Sequence, residues 1–322
     1  MSFMGRRGSL SVTGFGMNLL SKKVSGTNGF FFKSTSATAG VLYKYVFASN
    51  LVTSKTFAGL ANSARDGTAS VSNAETAIIA AGCWQTFNAP SAQALRYSHA
   101  AATMAASGLA YLLRLGSAFG NKTSAWFVSG VQGTAANSPG SQLVSVQDYA
   151  SGAPSFGTNL TGNSASGCSL SAPLWGIVKL GAATAGSGIA QLTTNKYTYA
   201  SNIVVPATSL INAQNRQVSF GIDTLGIFIA TSVSTAYCNK YTYASDSVTQ
   251  TIVFASSGAD RGGTTCLEYG LAISGNGSSG ATQKYFYAND TQAAGAALFP
   301  SGGTSYAYNN GMYNNGTAGV SA

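Results

Sequence analysis

The chain has 322 residues, 45% of them apolar, enough for a sizeable core, yet only 8% are charged, against about 25% in ordinary globular domains. Glycine alone counts 39, which suits a fold with many tight turns and argues against a helix-rich one. The net charge of +9 raises a nucleic-acid or anionic-surface reading, and no stretch approaches the ~18 consecutive apolar residues of a membrane-crossing helix.

At the N-terminus, residues 1–8 carry no apolar core of a secretion signal, so no signal peptide is expected. Residues 7–14 (Arg7 to Gly14) read as a strand, and Gly29-Phe30-Phe31-Phe32 as an apolar run too short for a helix. Lys44-Tyr45-Val46-Phe47-Ala48-Ser49-Asn50 follows, and the chain rewrites it. Eroded copies stand at Arg96-Tyr97-Ser98-His99-Ala100 and Val146-Gln147-Asp148-Tyr149-Ala150-Ser151. Full copies stand at Lys196-Tyr197-Thr198-Tyr199-Ala200-Ser201-Asn202, at Lys240-Tyr241-Thr242-Tyr243-Ala244-Ser245-Asp246, and at Lys284-Tyr285-Phe286-Tyr287-Ala288-Asn289-Asp290. First residues at 44, 96, 146, 196, 240 and 284 recur at steps of 44 to 52, the spacing of a repeat architecture.

Apolar runs precede the copies in register. They lie at residues 29–32, 76–82, 125–130, 174–178, 225–230 and 269–275, and their unbroken apolar character predicts strands buried on both faces. The fifth unit shows the grammar in full: strand 218–222, an Asp223-Thr224 turn, strand 225–230, the tyrosine strand, and a fourth strand over 248–254. Residues 100–115 have a loosely helical pattern, but repeat register predicts strand, turn, strand. At the far end Ser305-Tyr306-Ala307-Tyr308 falls where a further strand would start, and Asn309-Asn310-Gly311 and Asn314-Asn315-Gly316 read as turns or an extended end.

One domain over residues 1–322 is therefore expected, with repeats starting near 7, 65, 114, 165, 216 and 261, and residues 305–322 either closing a ring or forming a tail. The fold class is all-β, four short antiparallel strands per unit, arranged as a six-bladed β-propeller, with seven blades as the alternative.

The cations are locked to the repeat. Lys44, Arg96, Lys196, Lys240 and Lys284 open copies of the motif, and Arg65, Arg114, Arg216 and Arg261 follow 18 to 21 residues later. Charges spread one per unit do not form a stripe, so no nucleic acid is expected as a partner. Cys83, Cys168, Cys238 and Cys266 lack metal-ligand spacing, and His99 is the one histidine, so neither metal nor cofactor is expected.

Catalytic groups are scarce. Asp246 and Asp290 occupy the seventh motif position, where a carboxylate can bond backbone N–H groups of a turn. Paired glycosidase carboxylates need to stand about 5 to 9.5 Å apart, and Asp260 with Glu268 is the pair to test. His99 substitutes for a motif aromatic before it is a base. Glycines such as those of Gly14-Phe15-Gly16 are turn glycines without a strand-to-helix context. No catalytic residue is assigned.

The tyrosines Tyr45, Tyr97, Tyr197, Tyr199, Tyr241, Tyr243, Tyr285 and Tyr287 admit two readings: packing against the next blade with the hydroxyl at a polar rim, or an aromatic carbohydrate surface.

The motif wording at 196–202, 240–248 and 284–291, and more loosely at 44–50, resembles kelch-like repeats of tailed-bacteriophage virion and tail-fibre proteins. The doubled glycine and fourth-strand tryptophan of kelch repeats are absent. The resemblance spans roughly residues 7 to 308. It implies a non-enzymatic structural or adhesive component of a particle, whether tail fibre, tail-associated or capsid-decorating, made in a host cytoplasm without a signal peptide and located in the virion. Expected partners are other virion proteins and a host cell-surface glycan, with a homo-oligomer compatible and no membrane insertion. A bacterial lectin-like propeller is the alternative and a glycan hydrolase the third reading. Binding is expected in irregular loops, 131–143 and 151–170, through Gln132, Asn137, Asn159 and Asn163.

Overall fold

The structure is a computed structural model that describes residues 27–36, 39–58, 65–66, 69–80, 83–84, 91–113, 116–128, 130–132, 139–165, 167–183, 191–212, 218–231, 236–254, 262–273, 281–298 and 312–314. These residues form strands and turns only. Blade I holds β1 (Asn28–Ser36), β2 (Ala39–Val46) and β3 (Leu51–Phe57). A short ladder joins β4 (Arg65–Asp66) to β7 (Cys83–Trp84), beside blade II, which is built from β5 (Ala69–Ser72), β6 (Thr76–Ala80), β8 (Ser91–Ser98) and β9 (Thr103–Leu113). Blade III is β10 (Ser117–Gly120), β11 (Ser124–Val128), β12 (Ser145–Asp148) and β13 (Pro154–Phe156). Blade IV is β14 (Cys168–Ser171), β15 (Trp175–Lys179), β16 (Thr194–Thr198) and β17 (Ile203–Ala207). Blade V is β18 (Val218–Gly221), β19 (Leu225–Thr231), β20 (Ala236–Thr242) and β21 (Ser247–Phe254). Blade VI is β22 (Gly262–Thr265), β23 (Tyr269–Ile273), β24 (Thr282–Phe286) and β25 (Thr291–Ala294). The last strand, β26 (Met312–Asn314), returns to pair with β1 and supplies the innermost strand of blade I.

The innermost strands neighbour one another in the cycle β5, β10, β14, β18, β22, β26 and back to β5. The chain is a six-bladed β-propeller. Each apolar run expected from the sequence contains the second strand of a blade, whose described residues are mostly buried on both faces. The expected strand at 7–14 and the Ser305–Tyr308 segment lie outside the described residues, as do Arg6, Arg7, Lys22, Lys23, Gly14-Phe15-Gly16, Arg114, Arg216, Asp260 and Arg261.

The core is six clusters, one at each blade boundary. At III/IV, Phe119, Trp126 and Val128 meet Val178, Leu180 and Tyr197. At IV/V, Leu170 and Ile177 meet Phe228, Tyr241 and Tyr243. At VI/I, Tyr269 and Leu271 meet Phe31, Tyr45 and Phe47, so the first and last blades share a core like any other pair. In each cluster the motif aromatic packs on the preceding blade, not the next one as the sequence suggested. Burying such a ring contributes about 1.5–3 kcal/mol.

Tyr45, Tyr97, Tyr197, Tyr241, Tyr243, Tyr285 and Tyr287 are buried, which removes them from any carbohydrate surface. The glycine of the second strand receives the bulky side chain of its neighbour: a Cβ at Gly176 would run into the Phe119 ring, and one at Gly270 into the Phe220 ring.

Residues 103–113 form one strand. The sequence expected a turn within this interval, but the turn precedes it at 99–102, and a register shift near Gln93 absorbs the extra length. The outer edges of blades III and IV carry Pro154 and Pro206, which lack the N–H an added strand would need.

Candidate functional site

Strand order gives the propeller two unlike ends. One end, the turn face, carries the connections from first to second and from third to fourth strand. The other, the loop face, carries those from second to third strand and between blades.

On the turn face the motif is an architectural device. The N–H of its fourth residue donates to the residues leading into the second strand in all six blades, from Phe47 to Thr27, His99 to Glu75, Tyr149 to Thr123, Tyr199 to Leu174, Tyr243 to Thr224 and Tyr287 to Glu268. Its seventh residue always has positive φ: Asn50, Ala102, Gly152, Asn202, Asp246 and Asp290. Asn, Asp and Gly are the residues that tolerate that conformation most readily, and Ala102 is the strained exception.

The second-position tyrosine hydroxyl donates to the seventh side chain in Tyr45 to Asn50 (2.6 Å), in Tyr197 to Asn202 and in Tyr285 to Asp290. Asp290 thus holds side chains instead of the backbone N–H groups expected from the sequence, because Lys240 of blade V also reaches it at 2.9 Å. Burial pushes the Asp290 carboxyl up, but the Tyr285 hydroxyl and Lys240 outweigh this and hold it below its ordinary value.

Three other opening cations, Arg96, Lys196 and Lys284, are also used locally. Arg96 Nη2 donates to the carbonyls of Tyr149 and Ala150 (2.9 Å for the latter) across the II/III boundary. Lys196 lies 3.8 Å from the Trp175 ring centre, and Lys284 lies 4.5 Å from that of Tyr269. His99 packs beside Phe30 and Tyr97, and burial drives its imidazole down to about 4. That is a core aromatic position.

A cleft of about 350 Å³ opens on this face between blades II and III, lined by Asn73, Glu75, Lys122, Thr123, Asp148 and Tyr149 among others. The sequence did not single it out, although Glu75 and Lys122 occupy the same turn in consecutive units. Asn73 fixes the cleft wall: Oδ1 accepts from the N–H groups of Glu75 (2.9 Å) and Thr76 (2.7 Å), and Nδ2 donates to the Lys122 carbonyl at 2.8 Å. Asp148 accepts from the Ser151 N–H (2.7 Å) and hydroxyl (2.8 Å), which lower its carboxyl below the ordinary value and make it a poor proton donor. Of the hydrolase pair expected from the sequence, Glu268 is exposed in the first turn of blade VI, and Asp260 lies outside the described residues.

The loop face carries isolated bridges in units III and IV. Four stretches are knitted there by isolated bridges, Val131 with Gly140, Ser141 with Ser164, and Ala165 with Ala182. Leu160 N–H donates to Gln142 O (2.8 Å), Gly181 N–H to Ser164 Oγ (2.7 Å), and Gln191 Nε2 to Asn163 O (3.0 Å). Buried Asn195 clamps the connection from below, its Oδ1 accepting from Thr161 N–H at 2.9 Å. The two loops expected from the sequence to bind thus form one platform. Gln132, Asn159 and Asn163 are exposed on it, and Asn137 lies outside the described residues.

Beneath the platform, Lys179 is fully buried at a register place held by Ala80, Val128, Ile229, Ile273 and Phe32 in the other blades. Burial pushes its amine down, and the Cys168 thiol paired with it goes up to about 12. The sequence run was read only to Val178, one residue short of this departure. Cys168, Cys238 and Cys266 are buried free thiols. Among the described residues no cluster of three or more His, Cys, Asp and Glu could hold a metal ion, and no helix could cross a membrane.

No protein-family model matches the chain, and no curated protein matches it in sequence. In backbone it is similar to the solved structure of YjhT, with a TM-score of 0.63 at 7% identity, covering 86% of this chain and all of that one. At that identity the likeness carries the fold alone.

Proposed function

We propose that the chain is a non-enzymatic, kelch-like structural and adhesive component of a bacteriophage particle, attached or attaching through its loop face. The observation that carries this reading is the split between the two ends. Motif residues on the turn face are consumed by packing and turn closure, while the loops of blades III and IV build a bridged platform that leaves the side chains of Gln132, Asn159 and Asn163 exposed. Scaffold-plus-variable-loop division is how repeat folds carry binding. The motif wording supports a virion setting, since it resembles blades of tailed-phage particle proteins.

A free carbohydrate-binding propeller is the second reading, favoured by the exposed amide side chains of the platform. A hydrolase is not adopted: in the cleft lined by Glu75 and Asp148, the Ser151 N–H and hydroxyl hold the Asp148 carboxyl below its ordinary value, the wrong direction for a general acid. Copurification separates the first two. Gradient-purified particles should contain the chain at fixed stoichiometry through high-salt washing. A chain wholly in the soluble fraction of lysed cells would overturn the virion reading.

A further inference from the structure

The opening cations of the motif take one of two seats. Lys196, Lys240 and Lys284 stand at one register place, opposite Ile177, Ile227 and Leu271 of their own second strands. Lys240 reaches forward, its amine 2.9 and 3.1 Å from the two carboxylate oxygens of Asp290, the seventh motif residue of blade VI. Arg96 reaches forward in the same way, since a Cβ on Gly152, the seventh residue of blade III, would lie 2.9 Å from its Nη1. Lys196 and Lys284 instead turn back onto the ring that begins their own second strand, Trp175 at 3.8 Å and Tyr269 at 4.5 Å. Blade V carries Leu225 at that place, so Lys240 has no such ring to take.

Lys196 differs because both seats stand beside it. The seventh residue of the next blade is Asp246, whose φ of 50° matches the 54° of Asp290, and Tyr241 holds the register place of Tyr285. In blade VI the Tyr285 hydroxyl and the Lys240 amine both donate to Asp290. In blade V, among the described residues, neither the Tyr241 hydroxyl nor Asp246 Oδ1 has a hydrogen-bond partner, although both atoms are buried. The chain leaving blade IV already touches Asp246, through the Thr208 hydroxyl on its carbonyl. The seat that Lys240 fills in blade VI is thus built again in blade V, and Lys196 rests on the indole instead. A cation over an exposed ring and an exposed ion pair are of similar strength, while a buried oxygen without a donor is costly, so neither seat excludes the other.

We infer that Lys196 is a two-position latch between blades IV and V. On Trp175 it covers the indole face. On Asp246 it ties blade IV to blade V as Lys240 ties V to VI, and it uncovers the indole next to Leu174, which is 64% exposed. Anything that occupies the Trp175 face therefore favours the tied boundary.

The test is NMR of the full chain with isotope-labelled lysine, Lys196 being assigned from the signal missing in Lys196→Met. The ring current of Trp175 moves the ε-methylene of a lysine seated on it upfield. Both other replacements copy neighbouring blades, Asp246→Asn after Asn202 and Trp175→Leu after Leu225, and thermal midpoints are the folding control. Asp246→Asn should move the Lys196 signal further upfield. Raising salt from about 0.01 M to 1 M should move it the same way, because screening weakens the ion pair. In Trp175→Leu chains, Lys196→Met and Asp246→Asn should couple by about two- to fivefold in the unfolding equilibrium. A Lys196 signal that neither Asp246→Asn nor salt moves overturns the inference, because Lys196 then keeps to the ring. Absence of coupling in the Trp175→Leu background overturns it too, because the carboxylate is then no seat for Lys196.

Discussion

The two ends of this propeller are built from the same blades and treat them in opposite ways. On the turn face the same N–H bond recurs six times, the same backbone position takes positive φ six times, and most ionised groups find a local partner. On the loop face the described residues of blades III and IV are tied by three isolated bridges and carry no exposed charged side chain. A side chain spent on closing a blade cannot vary freely, whereas one on a surface held from below by Asn195 can. The difference locates constraint and freedom in one molecule.

That contrast can be broken by experiment, and the largest effect belongs to the constrained end. Tyr241→Ala removes a buried ring from the IV/V boundary and should cost about 3–5 kcal/mol, read as a lowered urea midpoint. A loss below about 1 kcal/mol would mean that the boundary is not the closed core described.

Acid provides the next test. His99 has its folded value pushed down to about 4, from 6.5, so the unfolded chain takes up the proton first. Stability is then intact above pH 6.5 and falls as pH drops toward 4, by about 2–3 kcal/mol at pH 4.5. His99→Phe, which restores an aromatic of blade I type, should flatten this window in denaturant titrations at pH 7 and 4.5. An unchanged slope would place the imidazole in water.

Smaller effects come from the seventh motif position. Gly152→Ala should lose about 1–2 kcal/mol, because φ is +72° and the new Cβ would meet Arg96 Nη1 at 2.9 Å. Ala102→Gly should gain up to about 1 kcal/mol by relieving the one strained copy. Calorimetry of the pair gives opposite signs if the position demands positive φ. Smallest of all, Asn159→Ala on the platform should move stability by no more than about 0.5 kcal/mol.

Much of the architecture was legible because burial writes itself into composition at fixed intervals. The apolar runs around Phe31, Ile78, Phe127, Ile177, Phe228 and Leu271 named the second strands, and the motif located the turn after each third strand. Tertiary facts were not legible. That the aromatics lean on the preceding blade follows from which side of β8, β16, β20 and β24 faces which neighbour, and period-two alternation cannot choose between them. The seventh position looked like a carboxylate site, when its residues share a φ requirement that Asn, Asp and Gly meet for different reasons.

Ring closure by residues 305–322 was one of the two sequence expectations, but the closing strand itself was not placed, because Met312–Asn314 is short and flanked by asparagine-glycine pairs that read as turns. The II/III cleft was invisible because Glu75, Lys122 and Asp148 come from three separate turns. Of the platform residues, Gln132, Asn159 and Asn163 were reached by loop length alone.

Hydrogen exchange of the chain, free and assembled on purified particles or bound to a retained polysaccharide, tests the division most directly. The account predicts added protection in residues 139–144, 157–165 and 180–183, with exchange at 73–76, 121–124 and 148–152 unchanged. Protection confined to the second set would place binding on the turn face and contradict it.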